Sequence, residues 1–200
     1  MEQHGEILVD IYSIDYLLRC NVLDLSQQII KLSPVCGKTD MFQKYDPVVL
    51  VANDAGNITA TAADVTGIDR SSESITLSIR KYEVPEEERV FERYPASLMI
   101  SARKKYLNKR IHMLVKSISL YGLEAISEVE LDEEECIDMD LITRKNMFYF
   151  SGKVICKKQL DSIFEYGLQF THYDVATRYL FQDYLTNQAS NYSNMIPRAK

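Results

Sequence analysis

Short β-like segments separated by polar turns fill the first eighty residues and most constrain what this chain can fold into. In residues 75–80, Ile-Thr-Leu-Ser-Ile-Arg, every second side chain is apolar, which is typical of a strand with one buried face. Asn53-Asp54-Ala55-Gly56-Asn57 is turn-forming sequence and predicts a hairpin. Six strands in eighty residues predict a small barrel. The other five predicted strands are 7–12, 16–25, 29–33, 47–52 and 58–65.

The second half of the chain also predicts strands, followed by a helix. Its strand-like segments predict a second barrel, whose closure would leave no exposed edge. After them, apolar residues recur at three-, four- and five-residue steps over 175–185, which indicates an amphipathic helix with Asp174 as its N-cap. The predicted strands are 97–102, 111–118, 135–142, 147–156 and 166–170.

A charged, proline-bearing stretch separates the two halves. Val84-Pro85-Glu86-Glu87-Glu88 has no hydrophobic periodicity, as is typical of a linker between domains. We therefore predict a first domain over residues 1–83, a linker over 84–95 and a second domain over 96–200. The predicted fold class is mainly β, with two small barrels and a C-terminal α-helix.

Composition excludes several classes of function. The formal net charge of −6 argues against a DNA- or RNA-binding protein, since neutralising phosphates requires a basic face. The basic run Arg103–Arg110 fits a solvated hairpin loop with Asn108 at its turn. No apolar run reaches the roughly 18 residues of a membrane span, and the acidic start lacks the basic region of a signal peptide. These features predict a cytoplasmic protein.

Cysteine and histidine spacing gives no sign of a metal site or of catalysis. Four scattered cysteines predict buried, reduced thiols rather than ligands or disulfides. The histidines share no ligand spacing with acidic residues or cysteines, so no metal is expected. The isolated glycines of the first half offer no phosphate-binding loop, so neither a cofactor nor enzymatic activity is expected. The cysteines are Cys20, Cys36, Cys136 and Cys156, and the histidines are His4, His112 and His172.

Two arginines followed by a serine- and glycine-containing turn form the candidate binding site. Arg89 and Arg93 are four residues apart, and Ser117-Ile-Ser119-Leu-Tyr-Gly122 begins about 24 residues after the second arginine. An arginine can donate to guanine O6 and N7 together, bind a phosphate, or stack on a base. Either arginine could take the guanine edge. Gly122 would permit a tight turn that presents Ser117 and Ser119.

This pattern resembles the signature of the PilZ domain, a bacterial receptor module for cyclic di-GMP. That signature is Arg-x-x-x-Arg followed by Asp/Asn-x-Ser-x-x-Gly, and Ser117 stands where the family usually has Asp or Asn. The resemblance covers roughly residues 89–190, including a PilZ-type barrel and the terminal helix. The first half is similar in strand count and domain order to the split barrel of flagellar-brake-type receptors.

The resemblance implies a non-enzymatic receptor that binds cyclic di-GMP at the domain junction through Arg89, Arg93, Ser117, Ser119 and Gly122. Binding would order the linker and reorient the first domain. The expected target is a protein, in the flagellar motor or the exopolysaccharide machinery. Two alternatives stay open: one or two bound ligand molecules, and an adaptor that acts by protein contacts without ligand.

Overall fold

The computed structural model describes residues 8–14, 16–54, 57–80, 92–104, 109–143 and 145–188. They form twelve β-strands, one short 3-10 helix at Thr39–Met41 and one α-helix. The chain divides into two compact units, one within the described residues up to 80 and the other within those from 92 to 188. The predicted mainly β fold with two barrels and a C-terminal helix is confirmed.

The N-terminal unit is a closed six-stranded antiparallel barrel. Its alternating sequence places one side-chain set inside, where Ile11, Leu32, Val48 and Ile75 are fully buried. The strands are β1 (Leu8–Ser13), β2 (Tyr16–Leu25), β3 (Ile29–Pro34), β4 (Pro47–Asp54), β5 (Asn57–Asp69) and β6 (Ser74–Ile79), in the order β1-β2-β3-β6-β5-β4. The predicted hairpin is confirmed as the antiparallel pair β4–β5.

The C-terminal unit is a second closed six-stranded antiparallel barrel. Its interior holds inward-facing residues of all six strands, among them Ile100, Met113, Met139 and Phe150. The strands are β7 (Tyr94–Lys104), β8 (Arg110–Ser119), β9 (Gly122–Ser127), β10 (Cys136–Ile142), β11 (Met147–Leu160) and β12 (Ile163–His172). Their order around the barrel is β10-β11-β12-β9-β8-β7.

The α-helix α1 (Val175–Thr186) packs on the core of the C-terminal barrel. Asp174 is its N-cap, as predicted, and accepts hydrogen bonds from the backbone N–H and the hydroxyl of Thr177 at 2.9 and 2.7 Å. The ring of Phe181 is fully buried and makes edge-on contacts with Phe148 and Phe150, with centroids 5.2 and 4.9 Å apart. This aromatic contact ties the helix to the barrel.

The sequence predictions missed one strand and placed three cysteines wrongly. The strand β9 was not predicted, although it pairs with both β8 and β12. Cys20 is buried, but the prediction of buried thiols is wrong for Cys36, Cys136 and Cys156, which are exposed. In β10, Ile137 and Met139 face the core, so Cys136 faces outward. A register shift after Val154 turns Cys156 outward.

The predicted linker falls mostly outside the described residues, which exclude 81–91. Tyr94 and Pro95, which we assigned to the linker, already belong to strand β7. The domain boundaries stay predictions, as does the turn at Asn108, which also lies outside the described residues. None of the helices that the structure describes is both long and apolar enough to cross a membrane.

Candidate functional site

The predicted site residues that the structure describes lie in the C-terminal unit. Arg89 lies outside the described residues, whereas Arg93 immediately precedes β7. Ser117 and Ser119 end β8, and Gly122 begins β9. The structure therefore brings together four of the five predicted site residues within three neighbouring segments of one barrel.

Arg93 contacts both the predicted Ser117 and a residue that we did not predict, Glu124. Its Nη1 atom lies 3.4 Å from the Ser117 hydroxyl oxygen and 3.2 Å from Glu124 Oε1. The Ser117 hydroxyl donates to Glu124 Oε2 at 2.7 Å. These residues meet because Pro95 pairs with Ser117 across β7 and β8, while Ser117 pairs with Glu124 across β8 and β9. We call Arg93, Ser117 and Glu124 the Arg-Ser-Glu cluster.

A β-bulge at Lys116 aims this cluster outward. Before it, Met113 and Val115 face the core, whereas beyond the register shift Ile118 does so. The bulge therefore turns Ser117 and Ser119 to the outer face of the barrel, where unbroken alternation would have pointed them inward. Lys116 is only 8 % exposed and forms an ion pair with Glu165 of β12.

Ser119 and Gly122 shape the turn between β8 and β9. The Ser119 hydroxyl donates to the Gly122 carbonyl at 3.1 Å and accepts from the Tyr121 backbone N–H at 3.3 Å. A Cβ at position 122 would lie 2.2 Å from the Leu168 carbonyl oxygen of β12. Only glycine allows so close an approach between these strands, which explains the residue better than turn geometry alone.

Helix α1 is joined to the same turn. The Tyr173 hydroxyl donates to the Leu120 carbonyl at 3.0 Å, and the Arg178 guanidinium contacts the Tyr121 hydroxyl at 3.4 Å. Arg178 thus places a further cationic side chain near the predicted binding turn. Its position depends on the docking of α1, and we found no sequence motif that marks it.

Several glutamates lie close to the arginines in the sequence, and an ionised carboxylate there repels an anionic ligand unless it is solvated or turned away. Glu86, Glu87 and Glu88 lie outside the described residues. The Glu92 carboxylate accepts a hydrogen bond from the Tyr94 hydroxyl at 2.7 Å. Burial, together with this bonded carboxylate, raises the pKa of Tyr94 to about 12. The Tyr94 hydroxyl therefore keeps its proton, and its hydrogen bond to Glu92, well into the alkaline range.

Metal coordination has no candidate among the described residues, because no group of three or more histidines, cysteines or carboxylates is placed to hold an ion. The candidate site instead combines the guanidinium of Arg93, the carboxylate of Glu124 and the hydroxyls of Ser117 and Ser119, beside the glycine at position 122. Such groups bind by hydrogen bonds and charge.

Comparison with known proteins finds similarity among solved structures alone. No family model and no curated protein matches the chain. The Bacillus subtilis inhibitor of motility MotI/DgrA is 12 % identical with a TM-score of 0.46, covering 96 % of this chain and 99 % of its own. Escherichia coli YcgR in complex with c-di-GMP is 13 % identical with a TM-score of 0.46, covering 94 % and 86 %.

A shorter structure matches the second half. The PilZ domain of Escherichia coli YcgR with c-di-GMP is 15 % identical with a TM-score of 0.45, covering 55 % of this chain and 99 % of its own. Two of these three structures, both of YcgR, hold c-di-GMP. At such identities, and with TM-scores below 0.5, the similarity establishes neither a ligand nor a function for this chain.

Proposed function

We propose that the chain is a non-enzymatic cytoplasmic receptor for cyclic di-GMP that regulates a protein partner. The observation that carries the proposal is the meeting of Arg93 with Ser117, which joins the two parts of the sequence motif. Gly122, the last residue of the motif, lies on the strand paired with β8. A guanidinium, small hydroxyls and a closely packed strand on one barrel face suit a flat, anionic nucleotide.

Arg93 has the capacity to bind a ligand while keeping its present partners. The contacts to Ser117 and Glu124 both use Nη1, whereas a guanidinium carries five N–H donors. The Arg93 side chain is 36 % exposed, so solvent reaches it. Either Arg93 or Arg89 would donate to guanine O6 and N7, and the other would bind a phosphate or stack on a base.

The proposed output is regulation of a protein in motility or polysaccharide secretion, with no bond made or broken in the ligand. Reorientation of the first domain upon binding remains a prediction from the sequence. An adaptor that uses protein contacts without ligand is the second candidate. One observation favours it, since Glu124 already neutralises Arg93 at 3.2 Å.

Titration calorimetry of the full-length protein with cyclic di-GMP tests the proposal, with GTP as the competing guanine nucleotide. We expect saturable binding of cyclic di-GMP that is tighter than that of GTP. Arg93→Ala should weaken it at least tenfold, because a charge-assisted hydrogen bond contributes about 1.5–3 kcal/mol. Arg110→Ala is the matched control, since Arg110 is exposed on β8 and pairs with Arg103, away from the cluster.

Two results would contradict the proposal, the first its receptor function and the second its binding site. The absence of binding to wild-type protein at millimolar ligand would favour the adaptor. Equal affinity of Arg93→Ala and wild type would place the ligand elsewhere on the molecule. In the expected result, Arg110→Ala binds like wild type, which excludes a general effect of removing positive charge.

A further inference from the structure

The hydrogen-bond directions in the Arg-Ser-Glu cluster decide which group faces a ligand. A serine hydroxyl has one proton, and that of Ser117 is donated to Glu124 Oε2 at 2.7 Å. Its oxygen also faces Arg93 Nη1 at 3.4 Å. While these contacts last, Ser117 has no proton to donate to a base. Its role is then to hold the carboxylate in place.

Burial indicates the same division of roles. Ser117 is fully buried, whereas the Glu124 side chain is 33 % exposed. The carboxylate has about four acceptor positions on its two oxygens, and the contacts with Arg93 and Ser117 use two of them. Glu124 therefore presents acceptor capacity to solvent at the place where the motif predicts a ligand.

Guanine is complementary to such a carboxylate. Its N1–H and exocyclic N2–H₂ are adjacent donors on one edge, whereas hypoxanthine lacks the amine and adenine has an acceptor at N1. A carboxylate accepts two parallel N–H bonds with defined geometry. We infer that Glu124 is a specificity-determining residue, which accepts hydrogen bonds from the N1–H and N2–H₂ edge of guanine. The inference rests on the proposed function, which it deepens.

Charge balance permits this role in spite of the negative ligand. A bare carboxylate repels a phosphate, but Arg93 lies 3.2 Å from Glu124 and offsets its charge. Arg93 can bind the other guanine edge or a phosphate through its remaining donors, so both side chains would contact the ligand together.

The test compares three cyclic dinucleotides on the full-length protein by titration calorimetry: cyclic di-GMP, cyclic di-IMP and cyclic di-AMP. Wild type should prefer cyclic di-GMP to cyclic di-IMP by about tenfold, the discrimination expected for one paired contact to a base edge. Glu124→Gln should lower the affinity for cyclic di-GMP about tenfold and bring the ratio between the two ligands close to one. Cyclic di-AMP should bind weakest to wild type.

Glutamine is chosen because it keeps an acceptor for the buried Ser117 hydroxyl, whereas alanine would leave that hydroxyl unsatisfied. Glu130→Gln is the matched control. The Glu130 side chain is 61 % exposed and accepts a hydrogen bond from Lys157 on the same barrel, so this variant also removes a carboxylate that is paired with a cation. Circular dichroism verifies that all variants fold. The ligand ratio is the decisive readout, since structural damage would weaken both ligands equally and leave the ratio unchanged.

Three outcomes overturn the inference, and the failure of the inference is distinguishable from the failure of the proposed function. If Glu124→Gln binds cyclic di-GMP as tightly as wild type or tighter, Glu124 competes with the ligand for Arg93, and the receptor function stands without the inference. If wild type binds none of the three dinucleotides, the proposed function fails and the inference fails with it. A ratio that persists in Glu124→Gln also contradicts base reading by this residue.

Discussion

The Tyr173 hydroxyl donates to the carbonyl of Leu120 at 3.0 Å, which joins the segment entering α1 to the turn between β8 and β9. Tyr173→Phe removes the donor and keeps the ring, which stands edge-on to Phe150. We expect the free energy of unfolding to fall by about 1 kcal/mol, the typical contribution of one hydrogen bond. Urea unfolding followed by circular dichroism measures it.

Tyr179→Phe is the control for this change, because Tyr179 is 70 % exposed on the same helix. It should leave the unfolding midpoint unchanged. Equal effects of the two substitutions would mean that the bond from Tyr173 to Leu120 contributes nothing specific.

Gly122→Ala should destabilise the C-terminal barrel, because the new Cβ would lie 2.2 Å from the Leu168 carbonyl oxygen and backbone must move. Overpacking of this kind costs about 1–3 kcal/mol. Gly67→Ala is the matched control on strand β5, where the nearest atom, Thr76 Cβ, would be 3.6 Å away. Thermal unfolding should give a lower midpoint for the first variant alone, and a wild-type midpoint for Gly122→Ala would refute the close approach.

Tyr166→Phe should loosen the loop before β10. The Tyr166 hydroxyl accepts from the Leu131 backbone N–H at 2.8 Å and donates to the Val129 carbonyl at 3.0 Å. Without it, a buried N–H loses its partner, which costs about 1–3 kcal/mol. Hydrogen exchange of the Leu131 amide should accelerate. Tyr149→Phe, at a site 45 % exposed on β11, should leave that rate unchanged, and unchanged exchange in Tyr166→Phe would contradict the prediction.

The four cysteines should differ in reactivity. Burial, with a smaller contribution from the charge of Asp10, raises the pKa of the Cys20 thiol to about 12. Because the thiolate is the reactive form, Cys20 should resist iodoacetamide at pH 8 until the protein unfolds. The exposed Cys36, Cys136 and Cys156 should react in the folded state. Peptide mass spectrometry measures the rates, and equal labelling of Cys20 would refute its protection.

The raised pKa of Cys20 makes the free energy of unfolding depend on pH in the alkaline range. Folding raises the pKa of Cys20 from 9.0 to about 12, so the folded state holds a proton that the unfolded chain has lost. Its contribution is present in full below pH 9 and is lost as the pH rises through about 12. Cys20→Ala should weaken the alkaline decrease in unfolding free energy, and an unchanged pH profile would contradict this assignment.

Alternation predicted the barrels well because each inward-facing set is apolar. The strand β2 has the predicted bounds, Tyr16–Leu25. The prediction failed where a bulge interrupts the alternation. Cys156 lies two residues after the inward-facing Val154, so unbroken alternation would place Cys156 inside the barrel as well. The sequence prediction also missed β9, because glycine is typical of turns and Gly122 was assigned to one. In the structure Gly122 begins the strand, where its close approach to Leu168 requires a residue without a side chain.

The site was predictable only in part for a related reason. Arg93 and Ser117 belong to a motif with defined spacing, and the structure brings them into contact. Glu124 belongs to no such pattern, because its position beside Ser117 follows from the register of β8 and β9. Strand register depends on the closed barrel as a whole, so no local sequence pattern marks this carboxylate.

Mapping the ligand onto the backbone amides tests the central claim most directly. Cyclic di-GMP would be added to ¹⁵N-labelled full-length protein, and the amide shifts would be followed by NMR. The account predicts the largest saturable shifts at Arg93 and from Ser117 to Glu124, and their loss in Arg93→Ala. Shifts confined to the strands of the N-terminal barrel, or none at millimolar ligand, would contradict it.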